Sequence, residues 1–137
     1  MANKLATRNN PILYFNLGVA SGTQELNEDA IKYYKKAIEI DPEYRDAYLN
    51  IAYTISNART AVVKEMEENF NNEKKYLELE KKNKGICKEA LPYLEKADAL
   101  KRTMDTVKLL MNLYDTLEMF DESDVLRPIY KKMREQN

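Results

Sequence analysis

The sequence predicts an all-α fold: a short solenoid of about three helix-turn-helix repeats, with an extended helical hairpin in repeat two. Three observations predict it. Apolar and small residues recur at helical spacing in paired stretches, where two packed helices would touch. The 34-residue unit from Pro11 to Tyr44 returns imperfectly downstream. Only three glycines and four prolines punctuate 137 residues, too few turn residues for an all-β chain.

The first repeat, 11–44, is predicted as two helices. The first runs from about Pro11 to Gly22, with Pro11 in the opening turn, where its missing N–H is no loss. Tyr14, Leu17, Gly18 and Ser21 share one face, and Gly18 falls where a partner helix would come closest. The second helix is expected to start at Asn27 as N-cap, with Glu28 and Asp29 at its positive end. Ala30, Tyr34, Ala37 and Ile38 form its buried stripe, and Asp41-Pro42 stops it.

The second repeat, 45–103, places Tyr48, Ile51, Ala52 and Ile55 where Tyr14, Leu17, Gly18 and Ser21 stood. Its second stripe returns only at Ala90, Leu94 and Ala97. Ala30 to Ala90 is 60 positions, so about 26 residues are inserted into a 34-residue period. The insertion, about 59–87, keeps helical character. Val62, Val63, Met66 and Phe70 continue one stripe, Asn69, Asn71 and Asn72 mark a turn, and Tyr76, Leu77 and Leu79 lead back to Ile86. Two lengthened helices would project as an antiparallel hairpin, each arm about 13 residues or roughly 20 Å long. Met66, Phe70 and Leu77 either pack against each other or dock a partner. Gly85 and Pro92 predict a kink in the return arm or a break into two helices.

The third repeat, 104–137, is degenerate. Val107, Leu110, Tyr114 and Phe120 keep the spacing, with Met111 at the Gly18 place. Ser123, Arg127 and Tyr130 stand for Ala30, Tyr34 and Ala37, and Pro128 is expected to kink or shorten the last helix. A more polar outer face fits a terminal repeat. The whole chain, 1–137, reads as one domain. Leu5 to Asn10 falls where a preceding repeat would end, as a remnant of a longer array.

The order Tyr14, Leu17, Gly18, Ala30, Tyr34, Ala37, Pro42 resembles the tetratricopeptide repeat, whose pattern is W-x2-L-G-x2-Y, then A-x3-F, a small residue and P. The resemblance extends from Pro11 to Arg134, and the array looks bacterial in type. It implies a non-catalytic adaptor or scaffold that binds a protein or peptide. The family's groove positions map onto Ile12, Phe15, Asn16 and Val19, then Asp46, Leu49, Asn50, Tyr53, Ser56 and Asn57, then Asp105, Lys108, Leu109, Asn112 and Asp115. Asn50 and Asn112 would bond a partner's backbone. Phe15, Val19, Leu49 and Tyr53 would make an apolar groove, or else belong to the core under Met1 to Asn10 or the last helix. A family subclass clamps acidic chaperone tails with Lys, Asn, Asn, Lys and Arg. Only Asn50 of that set is present, with Phe15, Val19, Asp105 and Leu109 elsewhere, so no chaperone-tail binding is expected. The alternative function is self-association through the hairpin or the open repeat edge, and homo-oligomerisation stays open.

Composition narrows the chemistry. With 22 basic and 23 acidic residues the net charge is −1, without the basic excess of a nucleic-acid binder. There is no histidine and one cysteine, Cys87, which removes Ser-His and Cys-His pairs, Cys/His zinc sites and any internal disulfide. Cys87 reads as a small core residue or as a free thiol. Asp121, Glu122 and Asp124 lack the glycine and spacing of a calcium loop and suit a helix start. No glycine-rich phosphate loop occurs. No catalytic residue, cofactor or metal is therefore expected. No apolar run approaches the roughly 20 residues of a membrane span. The polar first ten residues lack a signal-peptide core, so a cytoplasmic location without membrane insertion is expected, an exported parent protein staying open.

Overall fold

The computed structural model describes residues 10–136, and the readings that rest on Met1 to Asn9 lie outside them. Among the described residues there are seven helices: α1 (Pro11–Thr23), α2 (Asn27–Ile40), α3 (Arg45–Asn57), α4 (Arg59–Glu68), α5 (Glu73–Leu100), α6 (Met104–Thr116) and α7 (Phe120–Glu135). They pack as a zigzag. α1 lies on α2, α2 on α3, α3 on α5, α5 on α6, and α6 on α7, while α4 packs along the first part of α5. This is an all-α helical repeat with a hairpin, α4–α5, built into it.

Local chemistry sets the helix ends. The Asn10 side chain accepts from the Ile12 and Leu13 amides at 3.1 and 3.4 Å, capping α1 ahead of Pro11. α1 closes with a turn in which the Leu26 amide donates to the Ser21 carbonyl at 2.9 Å and Glu25 takes a left-handed φ of 61°. The turn after α6 repeats it: the Met119 amide donates to the Tyr114 carbonyl at 2.8 Å, with Glu118 at φ 60°. Ser21 and Tyr114 hold matching places in the expected repeat pattern, and α1 and α6 end by the same device.

That turn corrects the expected cap of α2. The Leu26 carbonyl accepts from the Ala30 amide at 2.9 Å, so Leu26 is the cap and Asn27 is already helical. A second correction concerns Gly85 and Pro92, where a break into two helices was one of the two expected outcomes. α5 runs 28 residues through both. Pro92 and Lys88 lie on the exposed side, where water takes the carbonyl that proline leaves unpaired. The irregularity lies instead in the outgoing arm. At Ala58 the amide bonds to the Ile55 carbonyl three residues back, a tightened turn that separates α3 from α4. α7 likewise passes through exposed Pro128 to Glu135 without shortening.

The buried stripes meet in one core that includes Ala30, Tyr34, Ala37, Ile51, Ala52, Ala90, Leu94, Val107, Leu110 and Leu113. Each fully buried large side chain, such as Ile51 or Leu94, contributes about 1.5–3 kcal/mol by leaving water. Small residues permit the closest approach. A Cβ on Gly18 would sit 2.5 Å from the Tyr34 ring, so this glycine is the floor on which the tyrosine lies. Leu17 departs from the inward face assigned to it and is 37% exposed. Cys87 is fully buried, and burial raises its thiol pKa, in keeping with a core role.

The hairpin seam is narrower than the sequence stripe. Val62 and Leu79 are buried, and Met66 and Tyr76 are half-buried. Phe70 and Leu77 do not join them, being 71% and 54% exposed. Asn72 caps the return arm by accepting from the Lys75 amide at 3.2 Å.

Candidate functional site: a trough between α3–α4 and α6

Two clefts open along the first helices of the second and third pairs. One, about 500 Å3, is lined by Tyr53 of α3 and by Asp105, Lys108, Leu109, Met111, Asn112 and Asp115 of α6. The other, about 570 Å3, is lined by Tyr53, Ser56, Asn57, Arg59, Thr60, Val63, Lys64, Glu67 and Leu109. Tyr53 and Leu109 line both, so the clefts adjoin at these two side chains and together form a trough from α6 onto the hairpin arm. Its apolar surface comes from Tyr53, Leu109, Met111 and Val63, and its rim is charged with both signs. Burial raises the Tyr53 phenol above its ordinary 10.0, the Asp105 charge adding to the shift and Arg45 opposing it. The hydroxyl stays neutral at physiological pH, a donor and acceptor beside an aromatic face.

Arg59 holds the two walls together. Its guanidinium donates to Asn83 of α5 at 2.9 Å, to Asn112 of α6 at 2.6 Å and to Thr116 of α6 at 3.1 Å. Asn83 is buried, so the bond also satisfies a polar group out of reach of water. The tightened turn at Ala58 directly precedes this arginine. At the other end of α6, Arg45 of α3 donates to the Lys101 carbonyl at 3.0 Å and to Thr103 at 3.2 Å. Two arginines thus fix the spacing of α3–α4 and α6, and with it the trough's width. Asp115, in the trough lining, is anchored by Arg127 of α7, which donates to it through two bonds of 2.8 and 2.9 Å.

The residues expected in a groove divide into two sets. Tyr53, Ser56, Asn57, Asp105, Lys108, Leu109, Asn112 and Asp115 line the trough. Ile12, Phe15, Asn16, Val19, Asp46, Leu49 and Asn50 lie outside both clefts. Phe15 is half-buried, its ring 5.6 Å from that of Tyr34 and 5.3 Å from that of Tyr44. Leu49 also packs against the core. Ile12, Asn16, Val19 and Asp46 are exposed. Asn50 turns inward, its amide 3.4 Å from the Tyr34 hydroxyl, and the Asn112 carbonyl oxygen is taken by Arg59. Sequence reasoning missed the hairpin's share of the trough: Arg59, Thr60, Val63, Lys64 and Glu67. Val63 sits beside the buried stripe, but no spacing rule says that α6 comes within reach of Arg59.

The family model of the tetratricopeptide repeat matches residues 11–44. This stretch is a tetratricopeptide repeat. It comprises α1, α2 and the link into α3, and Gly18 beneath Tyr34 is the contact its small-residue pattern provides for. The trough takes no residue from this stretch and lies in the helices that follow it. None of the curated proteins compared with the chain matches it.

Among the described residues no three His, Cys, Asp or Glu side chains gather as metal ligands would. No helix among them is long and apolar enough to cross a membrane.

Proposed function

We propose that this chain is a non-catalytic protein–protein interaction module, an adaptor or scaffold, and that the α3–α4/α6 trough receives a segment of the partner. Tetratricopeptide repeats are generally protein-interaction modules, and that supports the class. The single observation that carries the site is that the two clefts adjoin, sharing Tyr53 and Leu109. An open, elongated trough with an aromatic and aliphatic floor and a charged rim suits a peptide or a helix better than a small molecule. The fixed spacing from Arg59 and Arg45 means little ordering cost on binding. The three helix pairs act as three repeats of one domain, the shared turns at Glu25 and Glu118 supporting that division. The reduced, buried Cys87 suits a cytoplasmic setting.

Affinity capture from native lysate tests the site, comparing wild type with Tyr53→Ala/Lys108→Glu. Both side chains lie at the trough, and neither is buried. Proteins held by wild type and lost by the folded variant place the working surface in the trough. Equal capture by both moves it elsewhere.

A further inference from the structure

A second surface, sharing no residue with the trough, runs along α5. Lys74, Leu77, Lys81, Lys84 and Lys88 follow one another in steps of three and four, which brings them to one face of the helix. The row spans about 21 Å at 1.5 Å per residue. Lys74, Lys81 and Lys88 are exposed, and among the described residues none of them has a carboxylate within ion-pair distance. Lys84 alone is paired, to Glu80 at 3.4 Å and Glu118 at 3.3 Å. Lys74, Lys81 and Lys88 stand seven residues apart, about two turns, and leave three positive charges along the face without an ion pair.

Two further features sit in the row. Leu77 is 54% exposed, although seam positions were available one or two residues away at Tyr76 and Leu79. Gly85 lies between Lys81 and Lys88, and a Cβ built on it would meet nothing within 4 Å. A shallow groove of about 420 Å3 lies over this backbone, lined by Leu77, Glu80, Lys81, Lys84, Gly85 and Lys88, with Glu80 already engaged by Lys84.

We infer that this face of α5 docks an acidic amphipathic helix of a partner protein, with carboxylates on Lys74, Lys81 and Lys88 and apolar side chains against Leu77 and into the Gly85 groove. Charge selects an acidic occupant. The apolar anchor at Leu77 and the gap at Gly85 select a side-chain-bearing helix over a polyphosphate. One exposed leucine in a lysine row is too little apolar surface for a bilayer. A helix of about four turns matches the length of the row.

The test uses the full chain and a labelled helical peptide of about four turns, with leucine at i and i+7 and glutamate at most other positions, followed by fluorescence anisotropy. Three variants are compared: Lys81→Glu/Lys88→Glu, Gly85→Phe, and the trough variant Tyr53→Ala. Circular dichroism checks that each remains helical. Saturable binding is expected, weakened at least about tenfold by the charge reversal. Gly85→Phe, which fills the groove from an open position, should weaken it comparably, and Tyr53→Ala should leave it unchanged. Binding that ignores both α5 variants overturns the inference, as does no saturation at millimolar protein. Retained affinity in Gly85→Phe with loss only on charge reversal overturns the helix as occupant. Anionic vesicles or heparin binding in its place, with the same lysine dependence, overturns it in favour of a polyanion. A concentration-dependent mass lost on charge reversal overturns it in favour of a second copy of this chain.

Discussion

Gly18→Ala and Gly85→Ala make the same change in two helices and should have opposite signs. In an unobstructed helix, alanine is favoured over glycine by about 1 kcal/mol, because glycine loses more backbone freedom on folding. At Gly85 nothing lies within 4 Å of the new Cβ, so that gain is expressed. At Gly18 the new Cβ would stand 2.5 Å from Tyr34 Cε1, 2.6 Å from Cδ1 and 3.0 Å from Cζ. The ring cannot step aside cheaply. It is 4% exposed, packs against Phe15 and carries the Asn50 contact on its hydroxyl. Overpacking of this kind costs about 1–3 kcal/mol. Set against the propensity gain, Gly18→Ala should lose about 1 kcal/mol net. The two variants should therefore differ by about 2 kcal/mol, or roughly 8 °C in Tm for a chain of this size. Urea unfolding followed by circular dichroism reads both, provided the slope with denaturant is unchanged. A Gly18→Ala protein as stable as wild type would refute the placement of Tyr34 over α1 and the close α1–α2 approach that follows from it.

Four further outcomes follow from single contacts. Arg59→Ala should cost about 2 kcal/mol, since it strands buried Asn83 and unties α4 from α6. Hydrogen exchange should rise in α6 and in the hairpin arm more than in α1, and Arg59→Lys should rescue little because an ammonium lacks the planar fork. Asp98→Ala should cost about 2 kcal/mol, because buried Asp98 accepts from Thr106 at 2.7 Å and from Arg102 at 2.8 Å; thermal unfolding checks it. Glu25→Gly should stabilise by about 1 kcal/mol in urea titration, by relieving a left-handed backbone that disfavours a side chain. Tyr114 is held neutral by burial and by its 3.0 Å bond to Glu95, so its pKa lies well above the ordinary 10.0. A raised folded pKa leaves the contribution intact below the unfolded value and removes it as pH climbs above about 10. The loss of stability measured above that pH should be shallower in Tyr114→Phe.

Much of the fold is legible in local pattern. The stripe Ala30, Tyr34, Ala37 and its counterpart Ala90, Leu94, Ala97 carry the helical period, and all six residues are buried. Pro11, Pro42 and the asparagines around residue 70 mark ends where the backbone does change. Propensity misled wherever solvent or a turn intervened. Pro92 and Pro128 stay in helices because the carbonyls they strip face water. Asn27 lost the cap to Leu26 because the preceding turn brought a different carbonyl into line. Of the trough, Tyr53, Lys108 and Asn112 could be named from repeat positions, since such positions follow from period alone.

By itself the sequence determined the all-α class, the helix pairing, the tetratricopeptide repeat at 11–44 and the presence of further helices around the asparagine turn near residue 70. Those properties depend on neighbours three and four residues apart along the chain. Tertiary structure alone decided that the Phe15 ring lies against Tyr34 and the Asn50 amide near the Tyr34 hydroxyl, that Phe70 and Leu77 stay outside the hairpin seam, and that Arg59 reaches Asn83, Asn112 and Thr116. Arg59 and Asn112 are 53 positions apart. A contact over that separation depends on how three helices cross, and no periodicity within one helix encodes it.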